Sequence, residues 1–169
     1  LFIICAAFGP WIAPYDPYKQ NLDASLVNPS WDHLLGTDYL GRDTLSRIIV
    51  AARNTLMVGV VALVIAAGIG MTLGLIAGYF RGIADSIIMR FVDALMSFPM
   101  LVLALVIASL LGGGLKNVMI ALGIALIPGF ARMMYNQVIS IKEEDYILAE
   151  RGVGAGNLRI MLRHILPNT

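Results

Sequence analysis

Long apolar runs separated by short polar stretches set the plan of this chain. Thr55 to Phe80 is 26 residues without an Asp, Glu, Lys or Arg. At about 1.5 Å of rise per residue such a run exceeds the roughly 30 Å hydrocarbon core of a bilayer, so it predicts a tilted membrane-spanning helix. Ala94 to Leu111 is a second charge-free run, approached by Asp85, Arg90 and Asp93, which are expected on a helical lead-in at the membrane surface. Gly112, Gly113 and Gly114 end it. Val118 to Phe130 continues to Tyr135 as a third span, with Asn117 as its N-cap and Pro128-Gly129 as a bend. The first residues, LFIICAAFGPWIAP, form a shorter apolar run that begins without Met or a basic n-region. They are expected to be the outer half of a helix whose start is missing, not a signal peptide.

Residues 15–54 divide in two. YDPYKQNLDASLVNPSWDH is rich in Pro, Asn and Asp and predicts irregular surface chain. From Asp43 onward, Leu45, Ile48, Ile49 and Ala52 recur at helical spacing, with Arg42, Arg47 and Arg53 elsewhere. That pattern fits either an amphipathic helix on the membrane interface or a plain helical lead-in to the first full span. The expected organisation is a partial first transmembrane helix over 1–14, a loop with an amphipathic helix over 15–54, and a core over 55–169. The core holds spans near 55–80, 94–111 and 118–135 and a polar tail at 140–169. The fold class is all-α, an incomplete polytopic transmembrane helical bundle.

With four spans, the 81–93 connection and the tail fall on the side opposite the 15–54 loop. The loop side carries Lys19, Arg42, Arg47, Arg53 and Lys116; the tail side carries Arg81, Arg90, Arg132, Lys142, Arg151, Arg159 and Arg163. The positive-inside tendency therefore favours a cytoplasmic tail, although Arg53 beside a span on the outer side argues the other way.

Composition agrees with lipid as the solvent. The chain has 169 residues, 59% hydrophobic and 14% charged, with a mean hydropathy of +0.81, against roughly 25% charged residues in soluble domains. A net charge of +1 offers no field for nucleic acid. Cys5 stands alone, and no Cys/His grouping has zinc spacing, so neither disulfide nor metal is expected. GGGLKN lacks the spacing and preceding strand of a phosphate-binding loop. Gly152, Gly154 and Gly156 follow a helix, unlike the glycines of a dinucleotide fold. His33 and His164 read as lone surface histidines, and no nucleophile and base pair off, so neither enzyme chemistry nor a cofactor is implied.

Three constellations remain. Ala62, Ala66, Gly70, Gly74 and Gly78 repeat every four residues, making a ridge of small side chains along which another helix can approach closely. Packing is the favoured reading over gating. Arg90 and Asp93, three apart, share a helix face as a local ion pair at the edge of an apolar run, either structural or facing a pathway. Pro99 and Pro128 each remove a helical hydrogen bond and mark the expected bends.

The tail reads SIKEEDYILAERGVGAGNLRIMLRHILPN. Ser140 and Glu143 form a candidate capping box before a short helix with Tyr146, Ile147 and Ala149 to Arg151. The three glycines break it, and Leu158, Ile160, Met161, Leu162 and Ile165 build a second apolar-faced helix closed by Leu166-Pro167. Two short helices around a glycine elbow suit a plug for a groove on another protein or an interfacial helix on headgroups.

These residues resemble the inner-membrane permease subunits of ABC importers of the dipeptide/oligopeptide type. Their loop signature runs Glu-Ala-Ala, three residues, Gly, then a stretch ending Leu-Pro, which Ala149, Gly154, Leu166 and Pro167 match. GTDYLGRDTLSR (Gly36 to Arg47) and PWIAPYDP (Pro10 to Pro17) resemble the first external loop, and MRFVDALMSFP (Met89 to Pro99) the entry to the third span. Leu148 stands where the signature has Glu, Glu150 where it has the second Ala, and Tyr135 where this branch often has Arg.

The resemblance implies a type I ABC importer permease fold in a prokaryotic plasma (inner) membrane. It implies a second permease subunit, two cytoplasmic ATP-binding subunits and an external substrate-binding protein as partners besides the lipid bilayer. Ala149, Gly154, Arg159, Ile160, Arg163, Ile165, Leu166 and Pro167 would form the ATPase-docking loop. The subunit would transmit motion and perform no chemistry. The rival is a secondary transporter or channel, in which intramembrane charges and broken helices bind ions directly.

Overall fold

The computed structural model describes residues 2–169. The chain forms two compact units, the first ending at Val60 and the second running Val61–Thr169. Among the described residues every regular element is helical, and the only β pairing is an isolated bridge between Thr37 and Asp43.

The first unit contains α1 (Phe2–Ile12), an irregular connection with one 3-10 turn at Leu22–Ala24, and the first turns of α2 (Thr44–Phe80). Helix α2 is unbroken, so residues 44–54 are a lead-in to the span and not a separate interfacial helix. Nothing between Asp43 and Thr55 stops a helix: there is no Pro or Gly, and Asp43 caps the start by accepting from the Ser46 N–H at 2.8 Å. Gly9 lets α1 lie close to α2, since a Cβ there would stand 3.0 Å from the Ile49 carbonyl oxygen.

The connection is irregular but tightly bonded. Asp38 accepts from the Leu40 N–H at 2.9 Å, the Arg42 N–H at 3.0 Å and Arg42 Nε at 2.9 Å, and it pairs with Arg47 as well. Partial burial alone would raise the Asp38 carboxyl, but the Arg42 side chain and these backbone N–H groups outweigh it and hold the pKa at about 2. Asp43, also buried, is held below its ordinary value in spite of that burial by Ser46 and His33. His33 Nδ1 lies 2.9 Å from Asp43 Oδ1, so His33 is not the lone surface histidine that its sequence surroundings suggest. Gly36 (φ +71°) and Gly41 (φ +70°) make the left-handed turns that fold this stretch back on itself.

The second unit adds α3 (Ile83–Met96), α4 (Met100–Leu111), α5 (Leu115–Lys142), α6 (Asp145–Gly152) and α7 (Asn157–Arg159). Helix α7 continues as a wide π turn over Ile160–Ile165 and a last 3-10 turn over Leu166–Asn168. Helices α2 and α5 are long and apolar enough to cross a membrane. The predicted span over 94–111 is not one helix: α3 and α4 meet at 93°. Pro99 has no N–H to continue α3, and Phe98 before it is driven out of the α region. The Phe98 N–H turns back to the Leu95 carbonyl, and α4 starts afresh with Leu103 N–H donating to the Pro99 carbonyl at 3.0 Å. Pro128, by contrast, sits inside α5 without ending it.

Two predicted caps are corrected. Asn117 does not cap α5; its Nδ2 donates backwards to the carbonyls of Leu111 at 2.7 Å and of Gly112 and Gly113 at 3.2 Å, closing the end of α4. Ser140 cannot open α6 because α5 runs through it to Lys142, and Glu144 takes the cap position with no side-chain bond.

Candidate functional site

The small-residue ridge of α2 sets the site's frame. A Cβ on Gly70 would lie 2.7 Å from the Ile127 carbonyl oxygen, and one on Gly78 would lie 2.9 Å from Val138 Cβ. Gly74 faces the Ala131 carbonyl even more closely. Ala62 and Ala66 are buried along the same line, and Gly123 of α5 answers the ridge by receiving Ile65. Helices α2 and α5 therefore approach closely along this ridge, which recovers dispersion contacts that lipid chains would otherwise supply.

That approach delivers the end of α2 to the tail. Leu75 and Tyr79 of α2, Met134 and Val138 of α5, Ile147 of α6, and Ile160, Met161 and Ile165 of the π turn make one buried cluster. Ile147, Ile160 and Ile165 are wholly shielded, and burying each contributes about 1.5–3 kcal/mol. Tyr79 is the polar centre of this junction. Its hydroxyl donates to Asn157 Oδ1 at 2.8 Å, its carbonyl accepts from Lys142 Nζ, and Lys142 Nζ and Arg151 Cζ stand 5.3 Å and 5.4 Å from its ring centroid. Arg81 and Glu143 add an exposed ion pair at 3.0 Å. The tail is thus folded onto the span ends as a compact knuckle.

This placement divides the predicted docking residues. Ala149, Gly154, Arg159, Arg163 and Pro167 are exposed, and Leu166 is half-buried. Ile160 and Ile165 are corrected: they turn into the chain's own core, since the π turn directs Ile160, Met161 and Ile165 inward together. The exposed apolar side chains are instead Tyr146, Leu148, Val153, Leu158 and Leu162. Ile160, Met161 and Ile165 face inward while Leu158 and Leu162 face out, a division that the uniformly apolar composition of these positions does not mark. Gly154 takes φ +84° with open space around it, so glycine is needed there for backbone conformation and not for room.

The polar groups of α3 are also rearranged. Asp93 pairs with Arg132 of α5, not with Arg90, which is exposed and outside the ion pairs. This link joins two helices, where a local pair would stay within one. Tyr135 donates its hydroxyl to Asp85 Oδ2 at 3.0 Å, and the Arg132 guanidinium lies 5.9 Å from the Tyr135 ring centroid. Sequence spacing finds pairs within one helix and has no access to these cross-helix partners. Among the described residues no group of acidic, His and Cys side chains could hold a metal.

The family described as "Binding-protein-dependent transport system inner membrane component" matches residues 70–169, the α2 end, the bundle and the knuckle. The "N-terminal TM domain of oligopeptide transport permease C" matches residues 1–29. The chain is 44% identical over 174 residues to the di/tripeptide transport system permease protein DppC of Pseudomonas aeruginosa, covering 99% of this chain and 57% of that one. It is 44% identical over 171 residues to the glutathione transport system permease protein GsiD of Escherichia coli O6:K15:H31, covering 100% of this chain and 56% of that one. The dipeptide transport system permease protein DppC of Haemophilus influenzae is 38% identical over 178 residues, with 99% and 60% covered. The chain spans about half the length of the curated relatives it matches.

Proposed function

The chain belongs to the family of binding-protein-dependent transport system inner membrane components, and from that membership we propose that it is part of a permease subunit of an ATP-driven importer of short peptides. The observation that carries the reading is the knuckle. Residues 143–168 are anchored from within by Ile147, Ile160 and Ile165 while Tyr146, Leu148, Val153, Leu158 and Leu162 stay exposed beside Arg159 and Arg163. An element with an apolar outer face bordered by charged side chains suits a partner's groove.

In this reading two cytoplasmic ATP-binding subunits grip the knuckles of this subunit and of a second permease subunit. An external binding protein delivers the substrate to the other side of the inner membrane. ATP-driven closure moves the knuckle, and its rigid attachment to α2 and α5 tilts those spans between inward-open and outward-open arrangements. The nucleotide can bias this equilibrium only because the two arrangements bind it with different affinity. ATP hydrolysis lies on the partners. Short peptides are proposed because relatives are named for dipeptides, di/tripeptides and glutathione.

A secondary transporter would need ionisable groups buried among its spans. The buried polar residues among those described, Thr37, Asp43 and Ser46, all precede the apolar length of α2, which supports the importer reading. The deciding experiment is affinity capture of the ATPase subunit by the full-length permease. Capture is expected with the intact protein and lost on deleting 143–167. Capture that persists after the deletion would overturn the docking assignment.

A further inference from the structure

The knuckle contains a buried polar atom that docking does not use. His164 Nε2 is shielded from solvent and has no hydrogen-bond partner, while Glu150 Oε2 stands 3.7 Å away. Glu150 is on α6 and His164 in the π turn, so the two lie on opposite sides of the glycine elbow at 152–156. An unsatisfied buried nitrogen is destabilising. The separation is too long for a hydrogen bond, yet a small rotamer adjustment would close it once the ring is charged.

The surroundings single out this carboxylate. The ionisable groups on the elements packed against the turn are Asp145, Tyr146, Glu150 and Arg151 on α6, Lys142 at the end of α5, Tyr79 on α2, Arg159 on α7 and Arg163 in the turn itself. Among the described residues, Glu150 is the acid within ion-pair distance of the ring. Glu150 also occupies a position where the loop signature has Ala, and the exposed Leu148 one where it has Glu.

We propose that Glu150 and His164 form a proton-strengthened clasp between the two halves of the knuckle, a positioning pair that sets the docking face and leaves an apolar patch at Leu148 for the partner. The inference rests on the docking role proposed above. With a neutral ring the contact is loose. With a protonated imidazole, Nε2 donates to Glu150 and α6 is held to the π turn.

The test has two arms on the full-length permease in lipid nanodiscs. In the first, amide hydrogen exchange over 145–152 is compared at about pH 8 and about pH 6 after correction for intrinsic rates. Protection in the wild type is expected to rise roughly three- to tenfold on acidification, and the rise to vanish in Glu150→Gln and His164→Gln. Glu150→Ala, which installs the signature residue, guards against misfolding and is expected to match Glu150→Gln. An equal rise in Glu150→Gln and wild type would overturn the clasp. In the second arm, ATPase capture is measured at both pH values; a pH dependence present in the wild type and absent in Glu150→Gln supports the positioning role, and identical profiles overturn it. Failure of the wild type to capture ATPase at either pH would refute the docking reading, while the exchange arm would still decide the clasp.

Discussion

The Tyr79 hydroxyl and the Asn157 side chain, 78 positions apart in sequence, meet at 2.8 Å and join the end of α2 to the start of α7. The bond sits above a core in which Ile160 and Ile165 are fully buried, so it registers the tail on the span without being its main source of stability. Tyr79→Phe is expected to loosen the last segment by about 0.5–1.5 kcal/mol. Hydrogen exchange over 157–168 checks this. Asn157→Ala should give a similar loss and the double variant little more, because both remove one shared bond.

Gly74 leads to a second expectation. A Cβ at this position collides with the Ala131 carbonyl, whereas Gly68 on the same helix has nothing within 4 Å. Gly74→Ala should destabilise the α2–α5 pair by about 1–3 kcal/mol through overpacking. Gly68→Ala should leave it unchanged. Unfolding of the two variants in matched detergent separates a packing face from a general dislike of added methyl groups.

Opposite sides of the knuckle should fail differently. Leu158→Asp and Leu162→Asp act on exposed positions, so the fold should persist and ATPase capture should fall. Ile160→Asp places a charge where no solvent reaches and should unfold the knuckle at a cost of several kcal/mol. Arg159→Glu combined with Gly154→Val, which puts a branched residue at φ +84°, is expected to uncouple ATP hydrolysis from transport. Rates of hydrolysis and uptake measured on the same reconstituted sample check the last point.

Acid should loosen the connection before α2. The Asp38 pKa is depressed to about 2 in the folded chain, so its stabilising contribution is complete above the ordinary carboxylate value of about 4 and is lost as pH falls from there toward about 2. Asp43, lowered in the same direction, adds to the loss. Amide protection of residues 36–46 should therefore drop over that window. Asp38→Asn should remove much of the pH dependence.

The sequence made some features legible and hid others for physical reasons. A 26-residue charge-free run leaves a membrane helix little alternative, and Pro99 announces a break by lacking an N–H. The sharpness of that break, 93°, depends on how α3 and α4 each pack on α5 and has no local signature. Asp93 illustrates the same limit. Spacing proposes its neighbour Arg90, but the folded bundle supplies Arg132 from 39 positions away. Ile160 and Ile165 turn inward within a π turn, and nothing in IMLRHI marks that widening. His33 and Asp43, ten residues apart, were joined by turns at Gly36 and Gly41 that sequence alone leaves open.

The turn between α4 and α5 bears on how this protein is made. One Asn117 amide serves three carbonyls at the end of α4, and Lys116 is the only charged residue between Met100 and Ala131. With three of its carbonyls met by one side chain and a single side-chain charge, the turn brings less unpaired polar surface into a lipid environment than an uncapped helix end would. Asn117→Leu is therefore expected to lower the yield of membrane-inserted protein, measured as the membrane-fraction share, more than it loosens the folded α4–α5 pair.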